Sequence, residues 1–193
     1  MGEFFSQEKG VSMNRLLVGV LLVAAFVISG CSKKSGNELG TVEGKVAGVK
    51  WSVPARWTVG AERPMRVATY VVPAKEGSGE SADCAISYFG AGQGGVVGAN
   101  IDRWVGQFEP PTPPEQSVRE VNGLKVTTVH LSGTYIGMGG MMMESAPKKE
   151  DYRLLGAIVE APEGMVFFKM TGPRKTVTDA EKEFDAMLGS LTK

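Results

Sequence analysis

The chain is poor in the side chains from which most catalytic and metal centres are built: its 193 residues include two cysteines and one histidine. Two thiols cannot supply a disulfide framework, and one imidazole excludes the His-rich zinc sites. An excess of charge of either sign is missing as well, since 21 Lys+Arg face 21 Asp+Glu. A neutral chain carries no electrostatic footprint for nucleic acid or for an anionic membrane surface, so no nucleic-acid partner is expected. Nor does any apolar run reach the roughly 20 residues that a bilayer-spanning helix needs. Against these gaps stand 42% hydrophobic residues. That is enough to bury a core and to exclude global disorder, in a length that suits one folded domain.

The longest apolar run, residues 16–28 (LLVGVLLVAAFVI), has the length of a signal-peptide core, and Arg15 supplies its positive flank. Met13-Asn14-Arg15 would itself begin an ordinary signal, so the start lies at Met1 or Met13. The run ends in Ile28-Ser29-Gly30-Cys31, which resembles the lipobox of bacterial lipoproteins. The resemblance implies a diacylglycerol thioether on Cys31, cleavage before it, and a palmitate-type acyl group on the new amino terminus. Two or more acyl chains anchor stably where one does not, each buried methylene contributing about 0.8 kcal/mol. Ser32 in place of aspartate implies, by similarity to enterobacterial sorting, the outer membrane facing the periplasm. The expected organisation is a signal peptide at 1–30, a flexible tether at 31–45 on its Ser/Lys/Gly/Asn composition, and a domain at 46–193. With Cys31 acylated, Cys84 has no disulfide partner in the chain.

Within the domain, residues 51–59 read as a short strand or bend around Pro54, while 66–72 and 83–89 read as strands. Residues 97–108 place Val97, Ile101, Trp104, Val105 and Phe108 on one helical stripe. The proline block at 110–114 ends that helix and forms an extended connector. Asn122-Gly123 predicts a hairpin joining 117–121 to 124–135, and Pro162-Glu163-Gly164 a second joining 153–161 to 165–171. A last helix is expected over 179–191, with Thr178 and Glu181 as a capping box. Two one-faced helices and six or seven hairpin-linked strands predict an α+β domain, its mostly antiparallel sheet covered by both helices.

Three segments carry a resemblance to the PsbP-like fold of the photosystem II extrinsic protein and the Mog family. They are Trp51-Ser52-Val53-Pro54, the central helix, and Phe167-Phe168-Lys169-Met170-Thr171-Gly172-Pro173 before the last helix. More narrowly, the chain is similar to a group of uncharacterised bacterial lipoproteins. Tyr88-Phe89-Gly90 before an Ile101-Asp102-Arg103-Trp104 helix, Ser132-Gly133-Thr134-Tyr135, and a Gly156-Ala157-Ile158-Val159-Glu160 hairpin strand carry that likeness. It implies a PsbP-like α+β fold and no particular activity, because fold does not fix function.

Several groups invite a chemical reading. Gly90, Gly92 and Gly95 form a G-x-G-x-x-G between a strand and a helix, the setting of a dinucleotide loop. No βαβ crossover follows it, so a tight positive-φ turn is the expectation and no cofactor is predicted. Cys84 and His130 are the one thiol–imidazole combination available; they would need neighbouring strands to meet. Cys84 is expected on an apolar face, as an inert small hydrophobe, and His130 on a polar, solvated row. Asp102, Arg103, Glu109, Glu181 and Glu183 are spaced like solvated helix faces. Trp51, Trp57 and Trp104 could form a sugar or lipid platform, yet Trp104 falls in phase with the helix core. Met138, Met141, Met142 and Met143 offer soft thioethers that suit Cu(I), or an adaptable apolar contact loop, which is preferred. The resulting expectation is a lipid-anchored, non-enzymatic envelope protein that binds an envelope partner or supports an assembly. A small-ligand or copper carrier using the glycine or methionine loop is the alternative, with an exported enzyme third.

Overall fold

The computed structural model describes residues 38–75, 79–137 and 147–193. The signal segment, Cys31, and Met138, Met141, Met142 and Met143 lie outside them. The described chain begins with β1 (Leu39–Val46), β2 (Val49–Pro54), β3 (Thr58–Val59), β4 (Ala68–Val72) and β5 (Ala82–Tyr88). There follow α1 (Val97–Val105), β6 (Phe108–Glu109), β7 (Glu115–Val121), β8 (Leu124–Tyr135), β9 (Lys149–Ala161), β10 (Gly164–Pro173) and α2 (Arg174–Gly189). This is an α+β domain whose strand pairs are all antiparallel.

The main sheet runs β3-β4-β5-β10-β9-β8, and β6 and β7 share the far edge of β8. The expected hairpins form its centre. Asn122 and Gly123 take φ of 48° and 76°, the doubly left-handed turn whose twist matches two antiparallel strands. β9 and β10 then pair along their length, from Gly164↔Ala161 to Pro173↔Tyr152.

Alternation along these strands builds two separate cores. Leu155, Ala157 and Val159 of β9, with Val166, Phe168 and Met170 of β10, face Phe184, Met187 and Leu188 of α2. Trp51 of β2 closes this core, edge-on to Phe168 with ring centroids 5.2 Å apart. Leu154, Ile158 and Phe167 point the other way, under Ile101 and Trp104 of α1. Each fully buried side chain of this size contributes about 1.5–3 kcal/mol, so both faces are firmly held. The helices therefore sit on opposite faces of the sheet.

Four expectations need correction. The folded domain starts inside the supposed tether, because 39–45 pairs with β2 as a strand. Its side chains are mostly exposed, which gives it a linker's composition; a Cβ at Gly44 would stand 2.1 Å from the Trp51 ring, so glycine there seats the indole. The described residues hold ten strands, not six or seven, since two-residue strands such as β3 and β6 carry no readable period. The first helix stops at Val105, and Phe108 belongs to β6, paired with Tyr135. Finally α2 begins at Arg174, immediately after Pro173, without a side-chain cap. Thr178 Oγ1 and the Glu181 carboxylate instead accept hydrogen bonds from Arg153. The buried stripe starts a turn early at Val177, and Thr176 ties that turn to β5's approach by donating to the Glu80 carbonyl at 2.8 Å.

Candidate functional site: a cationic groove on the uncovered sheet face

The glycine loop is a structural turn. Gly90, Gly92, Gly94 and Gly95 all take positive φ, from 69° to 105°, a region that costs other residues strain. A Cβ at Gly94 would press on the Phe167 ring at 3.0 Å. Asn100, buried in α1, locks the loop by donating from Nδ2 to the Gly94 and Val96 carbonyls at 2.7 and 3.0 Å.

Cys84 and His130 do not meet. They lie in one row of the sheet, Cys84↔Met170↔Leu155↔His130, with β10 and β9 between them. Three strand spacings separate them by roughly 14 Å. Cys84 is fully buried beneath α2, and burial pushes its thiol well above the ordinary range, so no thiolate nucleophile is available. His130 is half-buried rather than solvated, with Nδ1 3.6 Å from Glu181 and 3.9 Å from Glu115.

Trp51, Trp57 and Trp104 are buried, and none forms an open platform. Asp102, Arg103 and Glu109 are exposed, and Glu181 is half-buried against Arg153. Glu183 departs from its expected solvated place. It is 1% exposed and accepts hydrogen bonds from Arg56 Nε and, at 2.7 Å, from Trp57 Nε1. Both partners lie far away in sequence, so helical spacing could not foretell this buried ion pair.

The site that spacing missed lies where α1 leaves the sheet bare. On the α1 face, Thr69, Ala85, Lys169, Gly156 and Val129 form one cross-strand row. Trp104 sits directly on Gly156, where a Cβ would stand 2.3 Å from its ring. This notch seats α1 over β9 and β8, with Phe167 of β10 at the margin of its footprint. Beyond it the small residues Ala85 and Ser87 form a floor, and residues 64–66 make the opposite wall. The cavity between them has a volume of about 310 Å³ and continues past Lys169 into a second of about 270 Å³.

Lys169 rises from the floor between the two chambers. Its ammonium donates to Gln107 Oε1 and lies 5.7 Å from the Tyr135 ring centroid. Burial first, then the Arg66 guanidinium, pull its pKa from 10.5 down to about 8. Arg66 and Arg103 donate to the neutral Thr69 hydroxyl and Asn100 amide. No described carboxylate lines the chamber that these three cations share. In the second chamber the acids are matched, Glu80 to Lys149 at 3.0 Å and Asp83 to Arg63 at 3.8 Å. There the buried Thr171 hydroxyl finds no hydrogen-bond partner among the described residues. One signal for the groove was present in sequence: Lys169 is the single charge in β10. Arg66 and Arg103 come from other elements, which only the fold brings together.

Fold and groove define a class: an α+β domain with one sheet face closed by its longer helix and the other half open. Among solved structures the chain is similar to cyanobacterial PsbP (CyanoP) from Synechocystis sp. PCC 6803. The identity is 12% and the TM-score 0.49, over 86% of this chain and 98% of that one. It is also similar to PA94 of Pseudomonas aeruginosa, a protein of unknown function, at 12% identity and a TM-score of 0.44, over 79% and 96% of the two chains. No protein-family model and no curated protein matches the chain.

Proposed function

We propose that the chain is a lipid-anchored cell-envelope protein whose folded domain binds a ligand or partner in the groove and performs no chemistry on it. The lipobox ending at Cys31 supports the anchor, and its likeness to enterobacterial sorting supports the outer membrane, facing the periplasm. The observation that carries the binding function is the open half-face itself, where Arg66, Arg103 and Lys169 converge without a carboxylate. A natural protein leaves a half-buried ammonium unneutralised at a cost in stability, and binding sites are where such costs are retained. The groove combines apolar walls with a few convergent polar groups, the usual make-up of a small-ligand site. A nucleophilic enzyme is disfavoured because the thiol and imidazole stand three strand spacings apart.

The experiment is metabolic labelling with an alkyne fatty acid, followed by membrane fractionation and in-cell crosslinking from the groove rim at Met65. Wild type should carry label, fractionate with membranes, and crosslink in a pattern that Lys169→Met changes. Normal labelling, maturation and membrane retention of Cys31→Ala would refute the anchor. A crosslinking pattern indifferent to Lys169→Met would refute the groove as binding site.

A further inference from the structure

We infer that the groove takes a small amphipathic organic anion, with a carboxylate or phosphate head between Lys169 and Arg66 and an aromatic or aliphatic body against Phe89 and Phe167. The inference rests on reading the groove as the domain's binding site and adds the chemical class of its occupant. Three observations converge. First, an ammonium has three donors, and Gln107, a neutral acceptor, takes one from Lys169. The charge that bears on it is Arg66, of the same sign. An anionic head would neutralise both cations and take charge-assisted hydrogen bonds from them.

Second, the Thr171 hydroxyl lies buried in the adjoining chamber, on the same strand face two residues along, without a partner among the described residues. Buried hydroxyls are ordinarily satisfied, and this unpartnered one marks the chamber wall beside Lys169 as polar. Third, the other end of the groove is apolar. Phe89 is 37% exposed and tilts against Phe167 at a centroid distance of 5.6 Å, and Met65 is 75% exposed on the rim. A bare inorganic ion would leave those surfaces wet, whereas an attached hydrocarbon covers them. A volume of about 310 Å³ stands at the small end of ligand sites and is too small for a dinucleotide.

Calorimetric titration of the full chain in detergent tests this, with phenylacetate and phenyl phosphate as probes. Controls are 2-phenylethanol, acetate and inorganic phosphate, each with a blank of empty micelles. At least one aryl anion should bind one-to-one, about tenfold or more tighter than the neutral alcohol and the bare ions, as expected for a charge-assisted contact. Which aryl anion wins identifies the head. Lys169→Met should weaken it about tenfold or more and Lys169→Arg much less. Arg103→Gln, at an exposed position of α1, should weaken it about threefold. Equal binding of 2-phenylethanol and the anions would overturn the anion inference while keeping the groove as a binding site. Failure of all five probes would overturn both, as would anion binding untouched by every substitution.

Discussion

Replacing Lys169 by methionine should make the ligand-free domain more stable at neutral pH and less stable in mild alkali. Methionine keeps the unbranched shape and removes the ammonium. Depression of the pKa from 10.5 to about 8 corresponds to about 3 kcal/mol of unfavourable charge burial. Against that, the buried Gln107 amide loses its partner, a cost of about 1–2 kcal/mol. Below pH 8 the folded and unfolded chains both hold the proton, so the folded state bears the whole burial cost. Between pH 8 and 10.5 the folded chain sheds it while the unfolded chain keeps it. The unfolded state then binds more protons, and wild-type stability rises with pH. The raised pKa values of Cys84, Tyr70 and Tyr135 act with opposite sign above their ordinary ranges. They do so in both proteins and cancel in the difference. Urea unfolding followed by tryptophan fluorescence should therefore show the variant ahead by about 1–2 kcal/mol at pH 7, with the two curves crossing near pH 9. At pH 10 wild type should lead by up to about 1 kcal/mol, the Gln107 contact less the burial cost still carried below pH 10.5. A difference that stays constant from pH 7 to 10 would refute the reasoning, because it would mean that the ammonium is not desolvated.

Other expectations follow from the packing. Glu183→Ala leaves Arg56 and the Trp57 indole facing each other without their shared acceptor, and should lower unfolding free energy by about 3–5 kcal/mol in urea titrations; a loss under about 1 kcal/mol would show that the pair is solvated. Iodoacetamide should modify Cys84 only at the rate of opening of the α2 core, since the thiol is fully buried and held protonated; fast labelling of the native chain, rising with pH near neutrality, would restore it as a nucleophile. Gly156→Ala drives a methyl group into the Trp104 ring and should cost about 1–3 kcal/mol. It should also displace α1 and weaken ligand binding in the groove, which an unchanged affinity would deny.

Local signals were readable wherever neighbours in sequence are neighbours in space. Asn122-Gly123 announced its hairpin because both residues must adopt positive φ there. The Ile101 and Trp104 stripe announced α1 because one turn carries the whole apolar face. The misreadings concern residues whose roles depend on distant partners. Residues 39–45 look like a linker until Trp51 lies over Gly44. Glu183 looks solvated until Arg56 and Trp57 reach it from across the fold. Thr178 and Glu181 have capping-box spacing, yet Arg153 of β9 claims both. The Cys84–His130 question turned on strand order, which single-strand periodicity does not encode. The groove was least readable of all. Its shape follows from Gly156, a notch for Trp104 that seats α1 over β9 and leaves Lys169 to the elements beside the helix.

The proposed organic anion on Lys169 has one direct test. It is native mass spectrometry of the chain extracted from its own membranes in mild detergent, wild type beside Lys169→Met. The account predicts an extra small mass on wild type, released by denaturation as a carboxylate or phosphate with an apolar body, and missing from the variant. Identical bound masses on the two proteins, or a wild type with none, would contradict it.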